Sequence, residues 1–184
     1  MSTVMEYLQE RGVPFLVLPH PNADTVLDTA RRHGFHTDEV VKTVVVTTRY
    51  GNALLVLRYD REAVEELVVA AFGDEEVGMA GERDLLRNFP DHEPGSIPPL
   101  GRYFQAPMYV DVDVARRDAV VFAVGRPSVA VRMLTKDLFR DDPVVIAPLT
   151  HESEEAERQR AQAVTVEEAG LSVTERVVED EPAE

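Results

Sequence analysis

The chain has 184 residues, 44% of them hydrophobic, no cysteine and a formal net charge of −15. That length supports one domain with a sizeable core plus an appendage. The missing cysteine excludes disulfides, thiolate nucleophiles and Cys-ligated zinc. The charge argues against a dedicated nucleic-acid binder, which needs a basic face to release counterions from phosphates.

In chain order, Thr3–Gly12 reads as a short amphipathic helix, with Val4, Tyr7, Leu8 and Arg11 on one face. Pro14–Leu18 is a strand. The loop from His20 to Thr25 leads into a second helix with Val26, Leu27 and Ala30 apolar and Gly34 as its stop. The stretch 40–48 holds five valines among nine residues, with Lys42 as its one cation. Arg49–Asn52 makes a hairpin turn into a partner strand over 53–59. Asp60 is the expected N-cap of a third helix running through Ala63, Val64, Leu67, Val68 and Ala71. A short strand at 77–80 and a short helix at 82–88 precede residues 90–101, a segment with four prolines and two glycines that can join neither a helix nor a central strand. Strands follow at about 107–112, 119–124 and 128–133. A short helix from Thr135 to Leu138 and a strand at 144–146 end the pattern. Residues 151–184 carry eleven acids and three arginines, a net charge of −8, and are expected to form an acidic mobile tail, helical near 152–164.

No apolar stretch approaches the roughly 18 residues of a membrane span, and the N-terminus lacks a basic-then-apolar leader. The reading is a cytoplasmic protein with neither membrane nor DNA as a partner. Five histidines, His20, His33, His36, His92 and His151, lack metal-binding spacing, so no metal and no cofactor are expected. No serine stands in a Gly-x-Ser-x-Gly elbow and no phosphate-cradling Gly-Lys loop occurs. Asp111 and Asp113 share a strand face, either as paired carboxylates or as a solvated surface. The Lys42 ammonium ends in solvent or projects into a pocket. The proline-glycine segment is a ligand-binding loop or a rigid crossover. Composition alone leaves each pair open.

Three motifs stand in a familiar order: Lys42 within Val-Val-Lys-Thr-Val-Val-Val, then Val77-x-Met79-Ala80, then Gly95-Ser96-Ile97-Pro98-Pro99-Leu100-Gly101. Over about residues 1–148 the chain resembles the YbaK/EbsC proteins, which are similar to the editing (insertion) domain of bacterial prolyl-tRNA synthetases. The resemblance implies an editing-like domain over 1–150, with the tail 151–184 beyond it. Its expected fold is a single α/β domain: a curved, mixed, mostly antiparallel sheet of six or seven strands, partly closed, with flanking helices. It implies an aminoacyl-tRNA deacylase acting in trans, on the 3′ end of a mischarged tRNA and alongside an aminoacyl-tRNA synthetase. By this resemblance Lys42 is the catalytic residue. Gly95, Ser96, Ile97, Pro98, Pro99 and Gly101 bind the aminoacyl end, His20 and Thr25 edge the pocket, and Gly125 survives from a glycine pair. A non-catalytic module with the same pocket, sensing an aminoacyl or nucleotide-like ligand or docking a protein, is the alternative. Cysteine-removing relatives carry a hydroxyl and glycines near Ala123, Val124 and Gly125 and an acid near Ala130, so a less polar pocket is expected here.

Overall fold

The computed structural model describes residues 3–73 and 76–151. Of the tail expected over 151–184, all but His151, and with it the expected helix, lies outside them. Eight strands occur among the described residues: β1 (Phe15–Pro19), β2 (Val41–Thr48), β3 (Gly51–Arg58), β4 (Gly78–Met79), β5 (Met108–Asp111), β6 (Ala119–Ala123), β7 (Val129–Leu134) and β8 (Val144–Ala147). Seven helices accompany them: α1 (Val4–Glu10), α2 (Val26–Arg32), α3 (Glu65–Phe72), α4 (Glu82–Asn88), α5 (Gly101–Phe104), α6 (Val112–Ala115) and α7 (Thr135–Leu138).

The mixed α/β class and the mostly antiparallel pairing are as expected, but the strands form two sheets where one was expected. One sheet runs β1-β7-β6, the other β4-β2-β3-β5-β8. Pairing is parallel only between β3 and β5 and between β5 and β8. The division arises because α6 takes the chain out of line after β5, and β6 then pairs with β7. A parallel bridge between Val40 and Val121 joins the two sheets, and no closed barrel forms among the described strands. Ion pairs reinforce the seam: Arg132 Nε reaches Glu39 Oε2 at 2.7 Å and Arg117 pairs with Asp38.

Valine richness in β2 follows from burial on both faces. Val41 and Val45 enter the main core with Leu54, Val56, Met108, Val110, Phe122 and Val131 from both sheets. Val44 and Val46 face the opposite way, into a cluster with Leu55, Leu57 and Val68 of α3. Lys42 alternates onto this second face. The hairpin closes on the pair Thr48–Gly51, with Arg49 and Tyr50 in the turn.

Two sequence expectations fail because a carboxylate takes a different partner, a neighbouring arginine for Asp60 and distant backbone amides for Asp111. Asp60 does not cap α3; its carboxylate pairs with Arg58 at 2.7 and 3.0 Å. The helix starts later, after Val64, whose N–H donates to the Leu149 carbonyl at 2.9 Å. Residues 59–64 therefore remain a loop. Asp111 and Asp113 share no strand face, because Asp111 ends β5 and caps α6. The Asp111 carboxylate, 1% exposed, accepts from the N–H groups of Asp113, Leu149 and Thr150 and from the Thr150 hydroxyl, at 2.8–3.2 Å.

Candidate active site

Lys42 lies on β2 at the point where the loop 59–64 crosses it. Its stem is shielded, with the side chain 16% exposed, and its ammonium meets Glu62 Oε1 at 2.5 Å. A cavity of about 300 Å³ opens here. Lys42, Thr25, Gly95 and Ser96 all line it, together with Asp24, Tyr59 and Glu62. Two acidic residues and one lysine thus line the same cavity.

Each wall has a local cause. Thr25 is the N-cap of α2: its hydroxyl accepts the Asp28 N–H at 3.1 Å and donates to Asp28 Oδ2 at 2.9 Å. The loop wall is held by backbone exchange with the β6–β7 turn. Glu93 N–H donates to Gly125 O and Gly125 N–H to Ser96 O, both at 2.9 Å. Gly95 adopts φ 77° and Gly125 φ 89°, values that side chains strain to reach. A Cβ on Gly125 would also stand 3.3 Å from the Asp91 carbonyl. Gly125 therefore holds the loop without lining the cavity.

The remaining segment 97–101 turns inward. Ile97, Pro98 and Pro99 are buried, and Ile97 belongs to the main core. These residues anchor the loop. Gly101 begins α5, where a Cβ would stand 2.8 Å from the Ala106 carbonyl, so close packing accounts for it. It lines a separate depression with Arg102 and Pro143. His20 does not line the Lys42 cavity; its N–H donates to Ser128 O at 2.8 Å and its carbonyl accepts from Ala23. Among the described residues no group of three or more His, Asp or Glu side chains could hold a metal ion.

Residues 20–140 match the family described as the aminoacyl-tRNA editing domain. The chain belongs to this family. Among solved structures, this editing-domain chain is similar to a hypothetical protein, APE2540, at 21% identity and TM-score 0.72, covering 82% of this chain and 100% of that one. It is also similar to a candidate trans-editing enzyme for prolyl tRNA synthetase, at 22% identity and TM-score 0.71, covering 81% and 95%. A larger candidate signal transduction protein from Marinobacter aquaeolei VT8 contains the fold in 30% of its length, at 16% identity and TM-score 0.63 over 81% of this chain. At these identities the likeness is one of fold. No curated protein matches the chain.

Sequence reasoning about this editing domain missed Glu62, Tyr59 and Asp24. Glu62 was hidden by the reading of Asp60 as a helix cap. Its signal is the acidic pair Asp60 and Glu62 flanking Arg61, next to a strand pair with one internal lysine. The less polar pocket expected from Ala123, Val124 and Ala130 does not describe this cavity, because none of the three lines it. Ala123 and Ala130 pair across β6 and β7 and pack with Val26, itself a lining residue.

Among the groups elsewhere whose pKa is displaced are a histidine and a carboxylate. Burial holds His92 below its usual value of 6.5, against an opposing pull from Asp91. Burial raises Asp142 above the usual carboxylate value, with Arg11 and Arg102 opposing.

Proposed function

We propose that this protein is an aminoacyl-tRNA deacylase that acts in trans on a misacylated tRNA. In this reading the editing domain spans residues 1–150 and the acidic tail 151–184 follows it. What carries the reading is one juxtaposition: Lys42, the Thr25 cap and the Gly95–Ser96 turn on a single cavity, in a member of an editing family. The tRNA 3′ end enters this cavity, and the Lys42 ammonium exchanges Glu62 for the substrate.

The chemistry requires no protein nucleophile. Water forms a bond to the acyl carbon, the bond from that carbon to the ribose oxygen breaks, and a proton from the water ends on the released ribose hydroxyl. A neighbouring ribose hydroxyl of the substrate assists the water. Lys42 orients the ester and stabilises the oxygen on which negative charge develops, a contribution of about 10²–10³ in rate for one well-placed donor. Cytoplasmic action and association with a synthetase belong to the same proposal.

Deacylation of alanyl-, seryl- and cysteinyl-tRNA, wild type against Lys42→Ala, tests the reading. Hydrolysis of any of these that is lost in the variant supports it. The second reading, a binding module, draws on the acidic balance of the cavity, where Asp24 and Glu62 oppose one lysine. No turnover on any mischarged tRNA, with a small ligand protecting Lys42 from amine modification, would favour that module.

A further inference from the structure

A second cavity, of about 340 Å³, adjoins the first and shares Glu62 with it. Its walls are largely aliphatic, from Val46, Ala63, Val68, Val77 and Met79, with Glu65 as a second acidic residue beside the shared Glu62. Val46 and Lys42 lie on the same face of β2, so the two cavities follow one strand. Glu62, whose side chain is 87% exposed, stands at the junction with one oxygen 2.5 Å from the Lys42 ammonium. The aliphatic wall is not closed into the core, because Met79 is 62% exposed and Ala63 half-buried. Apolar surface there is open to a ligand.

We propose that this second cavity is the subsite for the side chain of the scissile amino acid, and that Glu62 receives the α-ammonium of that amino acid at the junction. The inference rests on the reading of the Lys42 cavity as the ester site. An aminoacyl ester carries a carbonyl, a cationic nitrogen and a side chain on adjoining atoms. The protein offers a cation, a carboxylate and an aliphatic wall in the same sequence along β2. Glu62 exchanges one ammonium for another, so the carboxylate stays paired while Lys42 is released toward the ester oxygen. An anionic side chain would meet Glu65 and Glu62 and lie unpaired against the valines at a cost of several kcal/mol, whereas aliphatic and thioether side chains gain from burial on the wall that makes up most of the lining. The substrate class is an amino acid with an uncharged apolar side chain larger than a methyl group.

The test uses the full-length protein and one tRNA body charged in turn with alanine, leucine, methionine and N-acetyl-leucine. Wild type is expected to hydrolyse the leucyl and methionyl esters faster than the alanyl ester. Ala63→Phe fills the cavity and should lower the leucyl-to-alanyl ratio of kcat/KM about tenfold or more, the scale on which an apolar pocket discriminates. Met79→Glu places a charge on the exposed wall and should lower that ratio in the same direction, without a core substitution. Glu62→Gln should reduce the preference for leucyl over N-acetyl-leucyl ester. Hydrolysis that continues in both wall variants with an unchanged ratio overturns the subsite while leaving the deacylase standing. Absence of hydrolysis of every ester by wild type overturns the deacylase reading and the subsite with it.

Discussion

Asp111→Ala offers a direct measure of what holds the Glu62 side of the site. The carboxylate is 1% exposed and takes N–H donors from Leu149 at 2.8 Å and Thr150 at 3.0 Å, as well as the Asp113 N–H that caps α6. Leu149 is fully buried and Thr150 is 7% exposed, so water replaces the acceptor poorly at those two amides. Each orphaned buried donor costs about 1–3 kcal/mol, and the lost cap about 1 kcal/mol more. The expected destabilisation is about 4 kcal/mol, a large part of the roughly 5–15 kcal/mol that holds a domain together. In a domain of this size it lowers Tm by about 10 °C. The effect reaches the site because the Leu149 carbonyl accepts the Val64 N–H at the start of α3, next to the loop carrying Glu62 and Ala63. Urea unfolding of wild type and variant, compared at equal m-values, measures the loss. A loss below about 1.5 kcal/mol would mean that the donors find other acceptors, and would refute the linkage from Asp111 through Leu149 to α3.

Lys42→Ala should remove deacylation yet change stability by at most about 1 kcal/mol, since its partner Glu62 is 87% exposed. Val45→Ala, at a position 5% exposed, should cost about 2–3 kcal/mol; denaturant midpoints and activity measured on both variants separate the roles. Removing residues 151–184 deletes a net charge of −8 and should tighten tRNA binding at low salt with turnover intact, an effect that added salt abolishes. The salt slope of tRNA binding by the full chain should correspond to one or two released counterions, against the roughly six to ten of a dedicated binder. His92 protonates less readily folded than unfolded, so the unfolded chain binds more protons below the usual 6.5. Its contribution to stability is complete above that value and is lost as pH falls through the folded-state pKa. His92→Gln should therefore flatten the acid limb of a stability–pH curve.

Much of the architecture was legible from local pattern. The valine run of β2, the turn at Arg49–Tyr50, the helix over 82–88 and the rigid segment 90–101 each follow from side-chain period or backbone restriction within a few residues. The family resemblance carried by the motifs implied that Lys42 and Gly95 share a pocket, and both line one cavity. Tertiary structure decided the rest: two sheets in place of one, the late start of α3, the burial of Asp111, and the inward turn of Ile97–Pro99. It also made Gly125 a clamp and Glu62 the partner of Lys42. Period and propensity report how one element divides between core and solvent. The bonds Lys42–Glu62, Asp111–Leu149 and Ser96–Gly125 join residues 20, 38 and 29 positions apart. Such pairings form when the folded chain brings a distant partner within reach of a polar group, and the neighbouring residues in sequence do not specify which partner that is.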